Sequence, residues 1–168
     1  MRGIGSYGVG AAVVSSIVTS MNGHSVNPSI MNDMGFMDLE RIEVLNGPQG
    51  TLFGRNSVAG VINLITARPT DEFEGYMDYE AGTFEKETVK GAINMPISDT
   101  VRARLAFMSN VREGMVDNPF TGNKMDDRND QAVRLSIDWD INDKTELRFT
   151  YSGQKSDDNR PQEEVSYC

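Results

Sequence analysis

The strongest constraint on this sequence is a two-residue rhythm towards its C-terminal end. Val133, Leu135, Ile137, Trp139 and Ile141 alternate with Arg134, Ser136, Asp138 and Asp140, and Leu147, Phe149 and Tyr151 alternate with Glu146, Arg148, Thr150 and Ser152. Successive side chains on a strand point to opposite faces, so each segment makes a strand with one apolar and one polar face. Three earlier segments repeat the pattern less cleanly: Phe73, Met77, Tyr79 and Ala81; Val89, Ile93 and Met95; Val101, Ala103, Leu105, Phe107 and Val111. Together they predict five consecutive antiparallel strands.

Residues 94–99 and Asn142-Asp143-Lys144 read as tight polar turns, and residues 112–130 as a long loop rich in Asn, Asp and Gly. Short turns at one end and long loops at the other are the habit of an outer-membrane barrel. A one-sided sheet on a soluble core would alternate identically. Strand lengths near ten residues or more, and a polar face carrying Arg104, Arg134, Asp138 and Arg148, favour a wet lumen with lipid outside. About eight strands is the smallest closed bacterial barrel, and open edges in lipid leave backbone groups unpaired at several kcal/mol each. The chain is therefore expected to be incomplete or to depend on partners.

Composition agrees with this reading. Only 38% of the 168 residues are hydrophobic, and no stretch of eighteen apolar residues exists, which excludes a membrane-spanning helix but not a barrel. Residues 1–70 balance Arg2, Arg41, Arg55 and Arg68 against Asp33, Asp38, Glu40 and Glu43, so the whole net charge of −9 lies in residues 71–168. No cluster of Lys or Arg suited to phosphates is assembled, so a nucleic-acid partner is set aside. Cys168 is the single cysteine and permits no internal disulfide. Arg2 followed by residues 9–14 faintly resembles a secretory signal, but the glycines ahead of the apolar run suit an ordered loop better. Without a signal the chain has no export address, and truncation is expected.

The first seventy residues form a different unit. Residues 2–10 are too glycine-rich for a helix or central strand and read as a loop; a short strand from Val13 to Thr19 follows, then an irregular loop over residues 21–36. From Asp38 the chain enters a half-buried strand with Ile42 and Val44 on one face and Arg41 and Glu43 on the other. Gly47-Pro48-Gln49-Gly50 is a turn, Thr51 to Gly54 a brief helical segment, Asn56 and Ser57 cap a second turn, and residues 60–66 are a β-branched strand ending near Pro69. The sum is a small mixed α/β unit.

Chemical motifs are scarce. His24 is the only histidine and lacks partners for a metal site, and the Asp- and Asn-rich residues 117–130 lack calcium-loop spacing. Residues 47–55 lack the Gly-Lys-Ser/Thr ending of a phosphate loop, and the ten methionines are scattered as gap-fillers. No nucleophile-base pair or carboxylate pair can be assembled, so no enzyme and no cofactor are expected.

One segment carries a specific likeness. Asp38-Leu39-Glu40-Arg41-Ile42-Glu43-Val44-Leu45-Asn46-Gly47-Pro48-Gln49-Gly50-Thr51-Leu52-Phe53-Gly54-Arg55-Asn56, continuing through Ser57-Val58-Ala59-Gly60-Val61-Ile62-Asn63-Leu64-Ile65-Thr66, closely resembles the plug signature of TonB-dependent outer-membrane receptors. Arg2-Gly3-Ile4-Gly5 resembles the upstream arginine-glycine motif of the same plug, and residues 71–168 resemble the start of the family's barrel. The resemblance implies an α+β plug domain, in its C-terminal part, over residues 1–70, followed by antiparallel transmembrane β-barrel strands of an incomplete barrel over residues 71–168. It implies a Gram-negative outer membrane, import of a scarce nutrient such as a ferric siderophore, haem, cobalamin or an oligosaccharide, and energy from TonB with ExbB and ExbD. By the same resemblance, Tyr7, Gly8, His24 and Asn27 on plug loops face the ligand, and Arg2 and Arg55 are candidates for ion pairs between plug and barrel. The family usually has arginine where Asn46 stands, which makes Arg2 the better candidate for such a pair, and its aspartate-glycine turn is replaced near Met21-Asn22-Gly23. The competing reading is a secreted soluble β-rich binding or adhesion module, and a third is a plug-only signalling or decoy protein.

Overall fold

The computed structural model describes residues 16–26, 36–54, 57–117, 119 and 122–159. The chain divides into two compact units, Met1–Ala67 and Arg68–Cys168.

In the first unit, β1 (Ile17–Met21), β2 (His24–Val26), β3 (Leu39–Asn46) and β4 (Gly60–Thr66) form a four-stranded sheet in the order β2-β1-β4-β3. β1 and β4 run parallel, and the other two pairs are antiparallel. Of the strand expected over residues 13–19, residues 13–15 lie outside the described residues, and the observed strand runs on to Met21. The irregular loop expected from residue 21 instead begins with a hairpin: Asn22 and Gly23, with φ of 51° and 82°, turn the chain from β1 into β2. That pair of left-handed residues is the one a two-residue hairpin requires. Between β3 and β4 the expected brief helix is present as α1 (Gly50–Phe53), and the excursion is pinned by Gly47 N–H to Ala59 O at 3.2 Å and Gln49 N–H to Ser57 O at 2.9 Å.

β4 is central, and Val61 and Leu64, pointing to opposite faces, are both buried. β3 is an edge strand, and here the expected burial is reversed. Ile42 and Val44 remain 50% and 54% exposed, whereas Glu43 and Leu45 are the half-covered side. The register decides this: Glu43 lies opposite Asn63 and Leu45 opposite Val61, on the face that also carries buried Val18 and Ser20.

In the second unit, β5 (Glu74–Gly82), β6 (Lys86–Ser98), β7 (Val101–Arg112), β10 (Arg128–Asn142) and β11 (Thr145–Ser156) make the five-stranded antiparallel sheet, in the order β11-β10-β7-β6-β5. The long connection expected as plain loop contains a small hairpin of β8 (Val116–Asp117) and β9 (Lys124–Met125). The turn expected from residue 94 is shorter than the sequence suggests, since β6 runs on to Ser98 and only Asp99 and Thr100 connect it to β7. No described helix is long and apolar enough to cross a membrane.

The faces of this sheet are inverted relative to a soluble protein. Arg104, Arg134, Ser136, Asp138, Asn94, Asn110 and Asp130 are buried, while Phe107, Val133, Trp139, Leu147, Phe149 and Tyr151 are exposed. The polar side chains cover one another across strands. Arg148 donates from Nε and Nη2 to the two Asp138 oxygens at 2.6 and 2.5 Å, and Arg102 donates to Asp140 at 2.6 Å. On the opposite face Phe107 lies over Gly91, where an added Cβ would fall 3.0 Å from its Cζ and 2.6 Å from the Tyr76 carbonyl oxygen. With 12 to 15 residues each in β6, β7, β10 and β11, the strands exceed the roughly 9–11 residues a tilted strand needs to cross a bilayer.

Removing Arg148 leaves the Asp138 carboxylate buried without its bidentate partner. Arg148→Ala is expected to cost about 3 kcal/mol, and the double change Asp138→Asn with Arg148→Gln to recover most of it. Urea unfolding of the full-length receptor in detergent measures both; equal loss in the single and double variants would show that charge pairing is not what holds this row together.

Candidate functional site

The first unit carries a polar strip across three adjacent strands. Ser20 Oγ on β1 donates to Asn63 Oδ1 on β4 at 2.6 Å, Asn63 Nδ2 donates to Glu43 Oε2 on β3 at 3.0 Å, and Arg41 Nε donates to Glu43 Oε1 at 2.8 Å. Arg41 also pairs with Glu40. The backbone N–H of Gly23 adds a second donor to Asn63 Oδ1 at 3.2 Å, so the hairpin turn is tied to the centre of the sheet. Asn22 works beside it, accepting from Thr66 N–H at 3.0 Å and donating to Thr66 Oγ1 at 3.1 Å.

The strip fixes its own charges. Donation from Asn63, then from Arg41, holds the Glu43 carboxyl below its ordinary range, and donation to Glu43 holds Arg41 above its own. Arg41 and Glu43 are partly solvated, with side-chain exposures of 52% and 36%, so the pair is a positioned surface charge rather than a buried acid-base couple. Chemically the strip can orient a hairpin and present a fixed carboxylate-guanidinium pair. Among the described residues no group of three or more His, Cys, Asp or Glu could hold a metal ion.

Of the residues expected to touch ligand, only His24 is placed. It is exposed at the start of β2, opposite Met21 and directly after the Asn22-Gly23 turn. Tyr7, Gly8 and Asn27, with the ion-pair candidates Arg2 and Arg55, lie outside the described residues. Sequence reasoning missed Ser20, Asn22, Asn63 and Thr66. Asn63 had a signal: asparagine is depleted in strands, and one in the middle of a β-branched run asks for a side-chain partner.

Comparison with known proteins agrees with this geometry. The family model of the TonB-dependent receptor plug domain matches residues 1–61. The chain is 33% identical over 88 residues to the pesticin receptor of Yersinia pestis, covering 51% of this chain and 13% of that protein. It is 33% identical over 128 residues to the ferrioxamine B receptor of Salmonella typhimurium, covering 75% of this chain and 16% of that protein. The solved structure of the ferric yersiniabactin uptake receptor FyuA from Yersinia pestis superposes with a TM-score of 0.73 at 22% identity, over 84% of this chain and 23% of that one. This chain belongs to the TonB-dependent receptors of the Gram-negative outer membrane. It spans a small part of the length of the relatives it matches.

Because the Glu43 pKa is lowered in the fold, its contribution to stability is present above the 4.5 of an unperturbed glutamate and is lost as pH falls through the depressed value. Wild type is therefore expected to be more stable than Glu43→Gln at neutral pH, with the difference closing on acidification. Thermal unfolding of both proteins between neutral and acid pH tests the sign, and a gap independent of pH would remove the ionised form from the account.

Proposed function

We propose that this chain is part of a receptor that imports a ferric siderophore across the outer membrane, with energy supplied by TonB, ExbB and ExbD. Residues 1–70 are its plug portion and residues 71–168 the opening strands of its barrel. The observation that carries the reading is the inverted second sheet. Its buried side is a lattice of paired Arg, Asp and Asn, and its open side is Phe107, Trp139, Phe149 and their neighbours. In water that open side would forfeit about 25 cal/mol for each Å² of apolar surface left uncovered, whereas lipid covers it at no such cost. A secreted soluble module is disfavoured on this ground. The metal-chelate ligand class is supported by relatives named for ferrioxamine B and for ferric yersiniabactin.

In this reading His24 projects from the hairpin that the polar strip secures, and Tyr7, Gly8 and Asn27 share the ligand-facing loops with it. Arg2 and Arg55 supply ion pairs to barrel carboxylates. The polar strip keeps the hairpin in place while the ligand is held. Because His24 is exposed and makes no structural bond in the strip, His24→Ala is a clean probe of contact.

The full-length receptor, expressed in an iron-starved strain lacking its own siderophore receptors, is expected to accumulate radio-iron from a ferric hydroxamate, phenolate or catecholate chelate. Accumulation falls to background when TonB is deleted, while binding to whole cells persists. His24→Ala weakens binding severalfold without changing receptor abundance. Uptake that survives loss of TonB, or no binding of any chelate in these classes, would sink the proposal.

A further inference from the structure

The β1-β2 turn demands a pair of residues that is chemically fragile. Both connecting residues lie in the left-handed region, at φ of 51° and 82°, and Asn followed by Gly is a pair that adopts this geometry readily. Glycine also has no side chain to keep its main-chain nitrogen away from the carboxamide that precedes it. On giving up its proton to solvent base, the Gly23 nitrogen can bond to Asn22 Cγ. The Cγ–Nδ2 bond then breaks, ammonia leaves with a proton from solvent, and a cyclic succinimide remains. Water opens either carbonyl of that ring and leaves aspartate or isoaspartate at position 22. No oxidant or reductant takes part, and water is the co-reactant.

In the fold both reacting groups are occupied. Gly23 N–H donates to Asn63 Oδ1 at 3.2 Å. The Asn22 carboxamide is held at both of its polar atoms: Oδ1 accepts from Thr66 N–H at 3.0 Å, and Nδ2 donates to Thr66 Oγ1 at 3.1 Å. Asn22 N–H donates to Leu64 O at 2.9 Å, which fixes the main chain ahead of the turn. The residues that do the holding are buried, and Asn63 is itself anchored by Ser20 and Glu43. Asn22 and Gly23 are exposed, so the restraint on the reaction is these bonds rather than burial.

We propose that Asn22 is a latent deamidation site, silenced in the folded first unit by Asn63 and Thr66 and reactive whenever the hairpin leaves them. The modification has a structural consequence. Isoaspartate puts an extra carbon into the main chain of the turn, and the pairing of Met21 with His24 across a two-residue turn cannot survive that lengthening. A hairpin that opens for long enough to react this way does not close again in its old register, and His24 is displaced with it. The chain carries a second pair of the same kind, Asn46-Gly47. There the glycine N–H is held by Ala59 O at 3.2 Å, with no part played by Asn63 or Thr66, so this pair is an internal reference. The proposal does not depend on the uptake reading above.

Peptide mapping by mass spectrometry, on the full-length receptor incubated in detergent at mildly alkaline pH, measures both sites at once. In guanidinium chloride Asn22 and Asn46 are expected to convert at similar rates. In the folded wild type Asn22 is slowed by roughly a hundredfold or more, since the hairpin must open locally before the ring can close. Asn63→Ala frees the Gly23 nitrogen and speeds conversion at Asn22 by roughly tenfold, while Asn46 keeps its wild-type rate. Folded wild type that converts at Asn22 as fast as the unfolded chain overturns the proposal, as does an Asn22 that stays intact in denaturant. An unchanged rate in Asn63→Ala, or equal acceleration at Asn22 and Asn46, also overturns it, the latter because general loosening would then be the cause. If Asn63→Ala does not assemble, Thr66→Ala decides: it removes the Oγ1 acceptor from the Asn22 carboxamide, and severalfold faster conversion confined to Asn22 supports the assignment, whereas no change overturns it.

Discussion

Everything in the second unit follows from which side of its sheet is covered. Backbone hydrogen bonds in an antiparallel sheet are satisfied by neighbouring strands and ask nothing of the surroundings, so the choice of solvent falls to the side chains. Here the charged face is the crowded one. Asp138 sits opposite both Arg102 and Arg148, and Ser136 opposite Arg104 and Thr150, so these buried polar groups meet polar partners on both adjacent strands. The same pairing fixes the register. A slip of one residue in β10 would carry Asp138 and Arg134 to the apolar face and bring Trp139 and Leu135 among the charges, with no compensating contact on either side. Buried ion pairs contribute little net stability compared with apolar packing. Their value here is that they specify one alignment of long strands that share similar compositions.

The first unit solves a different problem with a smaller sheet. A parallel pair, β1 and β4, forms its centre, and antiparallel partners flank it. Beside its backbone ladders and the buried Val18, Val61 and Leu64, this sheet is tied across its strands by side-chain hydrogen bonds. Asn63 joins β1, β3 and the β1-β2 turn at one point, and Asn22 joins the same turn to the end of β4. The two asparagines thus add side-chain ties to the backbone ladder that holds the hairpin. His24, the first residue of β2, is left exposed by this arrangement.

The legible parts of the sequence were those in which local pattern and tertiary environment agree. The strict alternation of residues 133–141 and 147–152 gave β10 and β11, and the stretch from Asp38 to Thr66 gave β3, α1, β4 and the family. Three features were hidden for separate physical reasons. The covered face of β3 depends on its register with β4, and alternation says only that two faces differ. The Asn22-Gly23 hairpin was legible in principle, since that dipeptide is a strong turn signal, but the three-residue β2 is too short to show an alternation of its own. Asn94 and Pro96 gave the end of β6 the look of a turn. The proline falls beside a register shift between Pro96 and Ser98, where the ladder is already irregular, and the asparagine is there to bind the linker. Of the candidate site, only His24 could be placed.

The two ends of the second sheet differ in a way that bears on how the chain is threaded. Asp99-Thr100 and Asp143-Lys144 are two-residue connections at one end; the long connection between β7 and β10 stands at the other, where Glu113 N–H also bonds Phe84 O in the β5-β6 turn at 2.9 Å. The charged residues Glu87 and Lys155 on the apolar face both lie towards this long-loop end, whereas Trp139 and Leu147 lie near the short turns. The apolar band is thus displaced towards the short-turn end, leaving the long-loop end to project beyond lipid, the arrangement of barrels with short periplasmic turns and long outer loops. The linker meets β5 at Glu74, beside Asn94, and therefore enters at the short-turn end.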